Sequence, residues 1–216
     1  EEKKIGELFE IKAGGDISKD RLSSYKTNHF RYPVFSNSEK NKGLYGYTDL
    51  FRFEGNCITV TGRGKLGVAN ARIESFYPIV RLLVLNPKKD FDIYFGENSI
   101  NRINFFIEST GIPQLTAPQI SLYKIVFPSL IEQQKIASFL SAVDDKLQQL
   151  TKKKELLEEY KKGIMQQIFS QELRFKDDNG NNYPDWEEKR IGELFEFKQG
   201  VQCAIEGQFL KKKKGL

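Results

Sequence analysis

The sequence predicts an α+β fold, with a strand-rich mixed globular domain over residues 1–128 followed by a long coiled-coil helix over 129–170. Three observations carry this. Short β-prone runs cut by Gly- and Asn-rich turns fill the first part of the chain. A seven-residue apolar repeat then continues for five periods. Finally, the opening "EEKKIGELFEIKAG" returns at 187–200 as "EEKRIGELFEFKQG", with eleven of fourteen positions identical. A repeat period of 186 residues is the size of a whole unit of domain plus helix, not of a solenoid repeat.

Within the first domain, "CITVTG" (57–62) and "YPIVRLLVLN" (77–86) predict strands, separated by the turn signals "FEGN", "GRGKLG" and "NPKKD". "FGENSINRINFFIES" (95–109) predicts a helix, although its β-branched and aromatic residues weaken that pattern. "STGIPQLTAPQIS" (109–121) reads as loop, and "LYKIVFP" (122–128) as a last strand ended by Pro128. From Ser129 there is no Gly before Gly163 and no Pro through Ser170. Ser129 and Glu132 supply a Ser-x-x-Glu capping box at the start of the helix. One apolar series is Ile136, Val143, Leu150, Leu157 and Ile164; its partner is Leu140, Leu147, Lys154, Lys161 and Ile168. These are the d and a positions of heptads, and the two lysines specify register or mark a stretch where helices splay. At 1.5 Å per residue the helix is about 60 Å long, too long to bury against the domain beside it. Residues 171–186 read as a polar, turn-rich connector, and 187–216 as the truncated start of a second domain with a basic tail, "KKKK" at 211–214.

Composition narrows the function. The chain has 216 residues, 39% of them hydrophobic, and a net charge of +5. No apolar run approaches the roughly 20 residues of a membrane span, and "EEKKIGELFE" lacks the features of a signal peptide. Cys57 and Cys203 are too few for a disulfide framework or a zinc site. The expectation is a cytoplasmic protein with reduced thiols. A pI near 9.0 suits a polyanionic partner.

No catalytic set emerges. His29 is the single histidine, which excludes His clusters and most triads. Neither dinucleotide nor NTP glycine motifs occur. "PDWEEK" (184–189) spells a nuclease-like pattern through Asp185, Glu187 and Lys189, but inside a connector rather than on separate strands. Binding has more support. Residues 18–48 interleave cations, Ser/Asn and aromatics, offering Arg21, Lys26, Arg31, Asn37, Ser38 and Lys42 as DNA contacts. "TGRGKLG" presents Arg63 and Lys65 on a glycine-flanked turn. "STGIPQLTAPQ" offers Gln114 and Gln119, a residue type that bonds adenine bidentately.

The order of these pieces resembles the specificity subunit of Type I restriction–modification systems. The resemblance rests on "GNCITVTGRGKLGVAN", on "IPQLTAPQISLYKIVFPSLIEQQKIASFLSAVDDKLQQL", and on "KKKELLEEYKKGIMQQIFSQELRF" leading into "DWEEKRIGELFEF". It covers nearly all of residues 1–200, and "IVFPSLIEQQKI" (125–136) is its most specific part. It implies target recognition domains that each read one half of a split double-stranded DNA target, spaced by long helices paired as an antiparallel coiled coil. It implies no cofactor and no catalysis in this chain. Modification subunits would bring S-adenosylmethionine and methylate adenine, and restriction subunits would use ATP and Mg²⁺ to translocate and cut. This chain departs from the full pattern in holding one recognition domain and one long helix. The expected pairing or docking surface is therefore Ile136, Leu140, Val143, Leu147, Leu150, Leu157, Ile164 and Ile168, used by a homodimer or by the modification subunit. The alternatives are a coiled-coil adaptor or decoy that does not read DNA, and a standalone DNA-modifying enzyme.

Overall fold

The computed structural model describes residues 1–106, 113–198 and 200. It divides into two units, Glu1–Lys153 and Lys154–Leu216.

The first unit is built on a four-stranded antiparallel sheet in the order β2 (Phe9–Ala13), β8 (Leu83–Pro87), β5 (Cys57–Val60), β6 (Ala69–Arg72). All four residues of β5 are buried, so "CITV" is covered on both faces. On one face Ile58, Val60, Leu83 and Leu85 join the larger core with Ile5, Phe9, Ile100 and Ile120. On the other, Cys57, Leu82 and Val84 meet Phe35, Phe53 and Phe76. The helical face is covered by α1 (Ile5–Leu8), α2 (Ile93–Asn101) and α3 (Ala117–Leu122). The second face meets a three-stranded sheet, β4 (Leu44–Thr48), β3 (Tyr32–Phe35) and β7 (Tyr77–Pro78), in which β3 pairs antiparallel with β4 and parallel with β7. A third ladder joins β1 (Glu2–Lys4) to β9 (Lys124–Val126).

Three expectations change here. The helix expected at 95–109 is α2, which begins earlier and ends at Asn101. Asp92 caps it by accepting from the Tyr94 and Phe95 amides at 3.0 and 2.9 Å. It stops because Asn101 turns its side chain to β6, accepting from Ala69 N at 2.8 Å and donating to Ala69 O at 3.1 Å. Residues 107–109 lie outside the described residues. The loop expected at 109–121 contains α3, because Gln119 Oε1 accepts from Thr116 N at 2.9 Å and Pro118 suits a first turn. The strand expected at 122–128 shortens to β9, since Leu122 closes α3.

The long helix is α4 (Leu130–Phe169), 40 residues without a break. Its start is where the sequence places it, and Gln133 anchors that start to the domain. Gln133 is buried, donates through Nε2 to Pro128 O at 3.0 Å, and accepts from Asp92 N at 3.1 Å. Gln133 and Ala137 are the helix's buried residues, and Ile136 packs at the edge of the larger core.

In the second unit, Arg174 ties the connector together, meeting Asp185 at 2.9 Å and the carbonyls of Tyr183 and Pro184 at 3.0 and 2.5 Å. Asp177 closes the "DDNGN" turn by accepting from the Asn179 and Asn181 amides at 3.0 and 2.7 Å. These backbone bonds hold its carboxyl below the usual carboxylate range. A short helix, α5 (Ile191–Leu194), follows. The basic tail 201–216, Cys203 included, lies outside the described residues. No helix among the described residues is long and apolar enough to cross a membrane.

Candidate nucleic-acid interface

Five loops of the first unit meet at one rim, and Asn37 links three of them. Its Oδ1 accepts from Gly62 N at 2.8 Å, while its Nδ2 donates to Val80 O at 2.6 Å. Val80 N donates to Gly15 O at 2.9 Å, which brings in the loop after β2. Leu115 N donates to Gly62 O at 2.9 Å, which brings in the segment before α3. Segments around residues 15, 62, 80 and 115 are thereby linked through main-chain bonds and the Asn37 side chain.

The turn after β5 is shaped by Thr61, which is 2% exposed. Its hydroxyl donates to Lys65 O at 2.5 Å and accepts from Val68 N at 2.9 Å, closing "TGRGKLG" into a compact projection. Two glycines are required there. Gly67 has φ +79°, and a Cβ on it would overlap the Phe105 ring; a Cβ on Gly62 would come within 2.8 Å of Leu115 O. On this support Arg63 reaches Gln114, with Nε and Nη2 at 3.3 and 3.2 Å from Oε1. Lys65 Nζ lies 3.0 Å from Glu39, an exposed pair of little stabilising value.

The loop between β3 and β4 carries Ser38 and Lys42. Ser38 Oγ accepts from Lys40 N at 3.2 Å. Asn41, Lys42 and Gly43 take φ of 50°, 51° and 84°, three consecutive left-handed residues. Arg72 holds this conformation from below. It is 7% exposed, lies 3.6 Å from the Phe35 ring centroid, and donates to Thr59 Oγ1 at 2.9 Å and Lys42 O at 2.5 Å. Burial lowers its pKa to about 10, against the opposing field of Glu97, so it stays charged at neutral pH. Burial in turn raises the Glu97 carboxyl. Cys57, close by, is pushed up to about 12 by burial, which leaves its thiol inert.

The rim thus gathers Asn37, Ser38, Lys42, Arg63, Lys65 and Gln114 from the sequence-derived candidates. The other three sit elsewhere in the unit. Arg21 faces Asp49 at 3.8 Å, and Arg31 lies over Tyr32 at 4.8 Å, where β3 begins. Lys26 is exposed just before the turn in which Phe30 N donates to Thr27 Oγ1. Gln119 commits its carbonyl oxygen to the α3 cap. Residues 109–112 of "STGIPQLTAPQ" lie outside the described residues. Sequence reading missed Arg72, whose setting in "ANAR" resembles any strand end. Of the nuclease-like trio, Asp185 pairs with Arg174 and Glu187 with Lys189 at 2.8 Å. The two carboxylates therefore have separate cationic partners.

The residues expected to pair or dock lie on α4. Ile136, Leu140, Ile164 and Ile168 are half-buried, whereas Val143, Leu147, Leu150 and Leu157 are 43 to 57% exposed. Lys154 pairs with Glu158 on the same helix at 3.8 Å.

Comparison with known proteins decides the family. The Type I restriction modification DNA specificity domain matches residues 1–159. The chain belongs to this family. A Mycoplasma pneumoniae protein named as a type I specificity subunit is 35% identical over 138 residues, covering 63% of this chain and 41% of that relative. A second from the same organism is 35% identical over 130 residues, covering 60% and 36%. The chain therefore spans about two fifths of the length of these curated relatives. The solved S subunit of a Mycoplasma genitalium Type I system superposes with a TM-score of 0.61 at 23% identity, over 83% of this chain and 46% of that one. A structure from a study of Type I complex assembly gives 0.61 at 15% identity, over 79% and 44%. These two show that the specificity-domain fold is shared.

Proposed function

We propose that this specificity-family chain recognises a DNA sequence through the rim of loops and carries no catalysis of its own. The supporting observation is the rim itself. Lys42, Arg63 and Lys65 sit with Gln114 and Ser38 on loops cross-tied by Asn37, so cations for phosphates stand beside amide and hydroxyl groups for base edges. A rim tied through main-chain bonds and the Asn37 amide is preorganised, which limits the ordering cost of binding. In this reading the domain reads one half of a split duplex target, and the exposed stripe of α4 sets the distance to the other half. That stripe pairs antiparallel with a second copy or docks a methyltransferase subunit. S-adenosylmethionine, ATP and Mg²⁺ belong to the modification and restriction subunits of the assembled complex.

Titrating duplex DNA against the chain at several salt concentrations tests this. Affinity falls steeply with salt, and Arg63→Ala with Lys65→Ala weakens binding; each phosphate that is no longer neutralised makes the logarithmic salt slope shallower by about 0.9. Unchanged affinity and slope in the double variant would remove this turn from the interface.

A further inference from the structure

The run "YPIVRLLVLN", which reads as a single strand, is interrupted by a tight turn at Ile79–Leu82, closed by Leu82 N to Ile79 O at 3.1 Å. Its central residues, Val80 and Arg81, have φ of 54° and 58°. Two left-handed residues in succession mark the turn type that favours Asn-Gly. A β-branched residue there is a steric outlier, and such outliers concentrate at functional sites. The backbone role does not explain the choice. Val80 N donates to Gly15 O and Val80 O accepts from Asn37 Nδ2, and Asn or Gly would offer the same two atoms with less strain. Packing does not explain it either. Val80 is 43% exposed, and neither Val80 nor Arg81 belongs to a core cluster. Arg81 is exposed and has no acidic or hydrogen-bonding side-chain partner among the described residues. Yet the turn is tied to the rim at Asn37 and Gly15, and the Arg81 carbonyl lies 3.4 Å from the position a Gly62 Cβ would take, beside Arg63.

We infer that the Val80–Arg81 turn is a sequence-determining contact of the DNA interface. Arg81 donates to a base edge, with guanine O6 and N7 the best match for its fork, and the Val80 isopropyl group packs on an adjacent thymine methyl. This rests on the DNA-reading function proposed above and extends it to two residues with no other assigned task. The strain is retained because the side chains that cause it are the ones that read the duplex.

The test begins with the wild-type chain, whose preferred site is found by selection from random duplexes. Arg81→Ala and Val80→Asn are then measured on that site and on its single-base variants, alongside their melting temperatures. Arg81→Ala loses roughly 5- to 150-fold in affinity for the preferred site and discriminates less at one base pair. Val80→Asn raises the melting temperature while relaxing preference at the neighbouring pair. Wild-type site preference retained in both variants overturns the inference and leaves the DNA-reading function standing. A uniform loss on all sequences from Arg81→Ala, with a shallower salt slope, makes it a phosphate contact and also overturns the inference. If the wild-type chain selects no site, the function fails and this inference with it.

Discussion

Asn37 and Arg72 shape the rim from beneath, and neither is recognisable in the sequence as a support. Asn37 stands among Ser, Asn and Lys residues of a polar loop, where any of them could face DNA. Its amide instead gives its oxygen to Gly62 N and its nitrogen to Val80 O, so its principal role here is to bind loops to one another. Asn37→Ala leaves the buried Gly62 amide without that acceptor, at a cost of about 1–3 kcal/mol. The expected outcome is a lower melting temperature together with weaker DNA binding. Asn37→Asp, which keeps the acceptor for Gly62, retains part of the stability. An unchanged melting temperature in Asn37→Ala would show that the bridge does not hold the rim. Arg72 was invisible for a different reason. A buried arginine is exceptional, and what makes it tolerable here, the Phe35 ring and the Lys42 carbonyl, lies 37 and 30 residues away in sequence.

Legibility at the element scale depended on whether the signal was local. The start and course of α4 follow from its heptads and its proline-free sequence, and the 40-residue helix agrees with them. Strand β5 was legible from its β-branched run. The division of "YPIVRLLVLN" into β7, a turn and β8 was not, because Val and Arg carry no turn signal. The repeated start offers a sharper comparison. Arg190 before α5 has φ −70° and ψ 143°, against −69° and 145° for Lys4 before α1. The same sequence thus folds locally in the same way, yet Ile5 and Phe9 are 0% and 1% exposed while Ile191 and Phe195 are each 65% exposed. Local sequence sets the conformation, and long-range packing alone decides burial. The exposed stripe on α4 poses the same question. A long helix that buries little of its apolar stripe within its own chain needs a partner for stability. With Leu150 and Leu157 51% and 56% exposed, the chain is expected to sediment as two copies at micromolar concentration. Leu150→Asp with Leu157→Asp should reduce that mass to one copy at the same concentration. A wild-type monomer would contradict the pairing.

For the whole molecule, family membership and the interface come from different kinds of information. The residues that carry the family, such as "IVFPSLIEQQKI", build β9 and the root of α4, and they constrain the scaffold strongly. The rim is assembled from loops far apart in sequence, so its composition was legible while its geometry was not. Sequence alone grouped Arg21, Lys26 and Arg31 with Asn37 because they are neighbours in the chain; the fold puts Arg63 and Gln114 at the rim beside Asn37, places Arg21 and Arg31 on separate local contacts, and leaves Lys26 exposed. On this reading the scaffold holds the loops so that they read a DNA sequence. Incubating the purified chain with random duplexes and sequencing the retained pool tests it. Enrichment of one defined motif is expected, retained more weakly by Arg63→Ala with Lys65→Ala, and a two-fold symmetric split form of that motif for a paired chain. A retained pool indistinguishable from the input would contradict it.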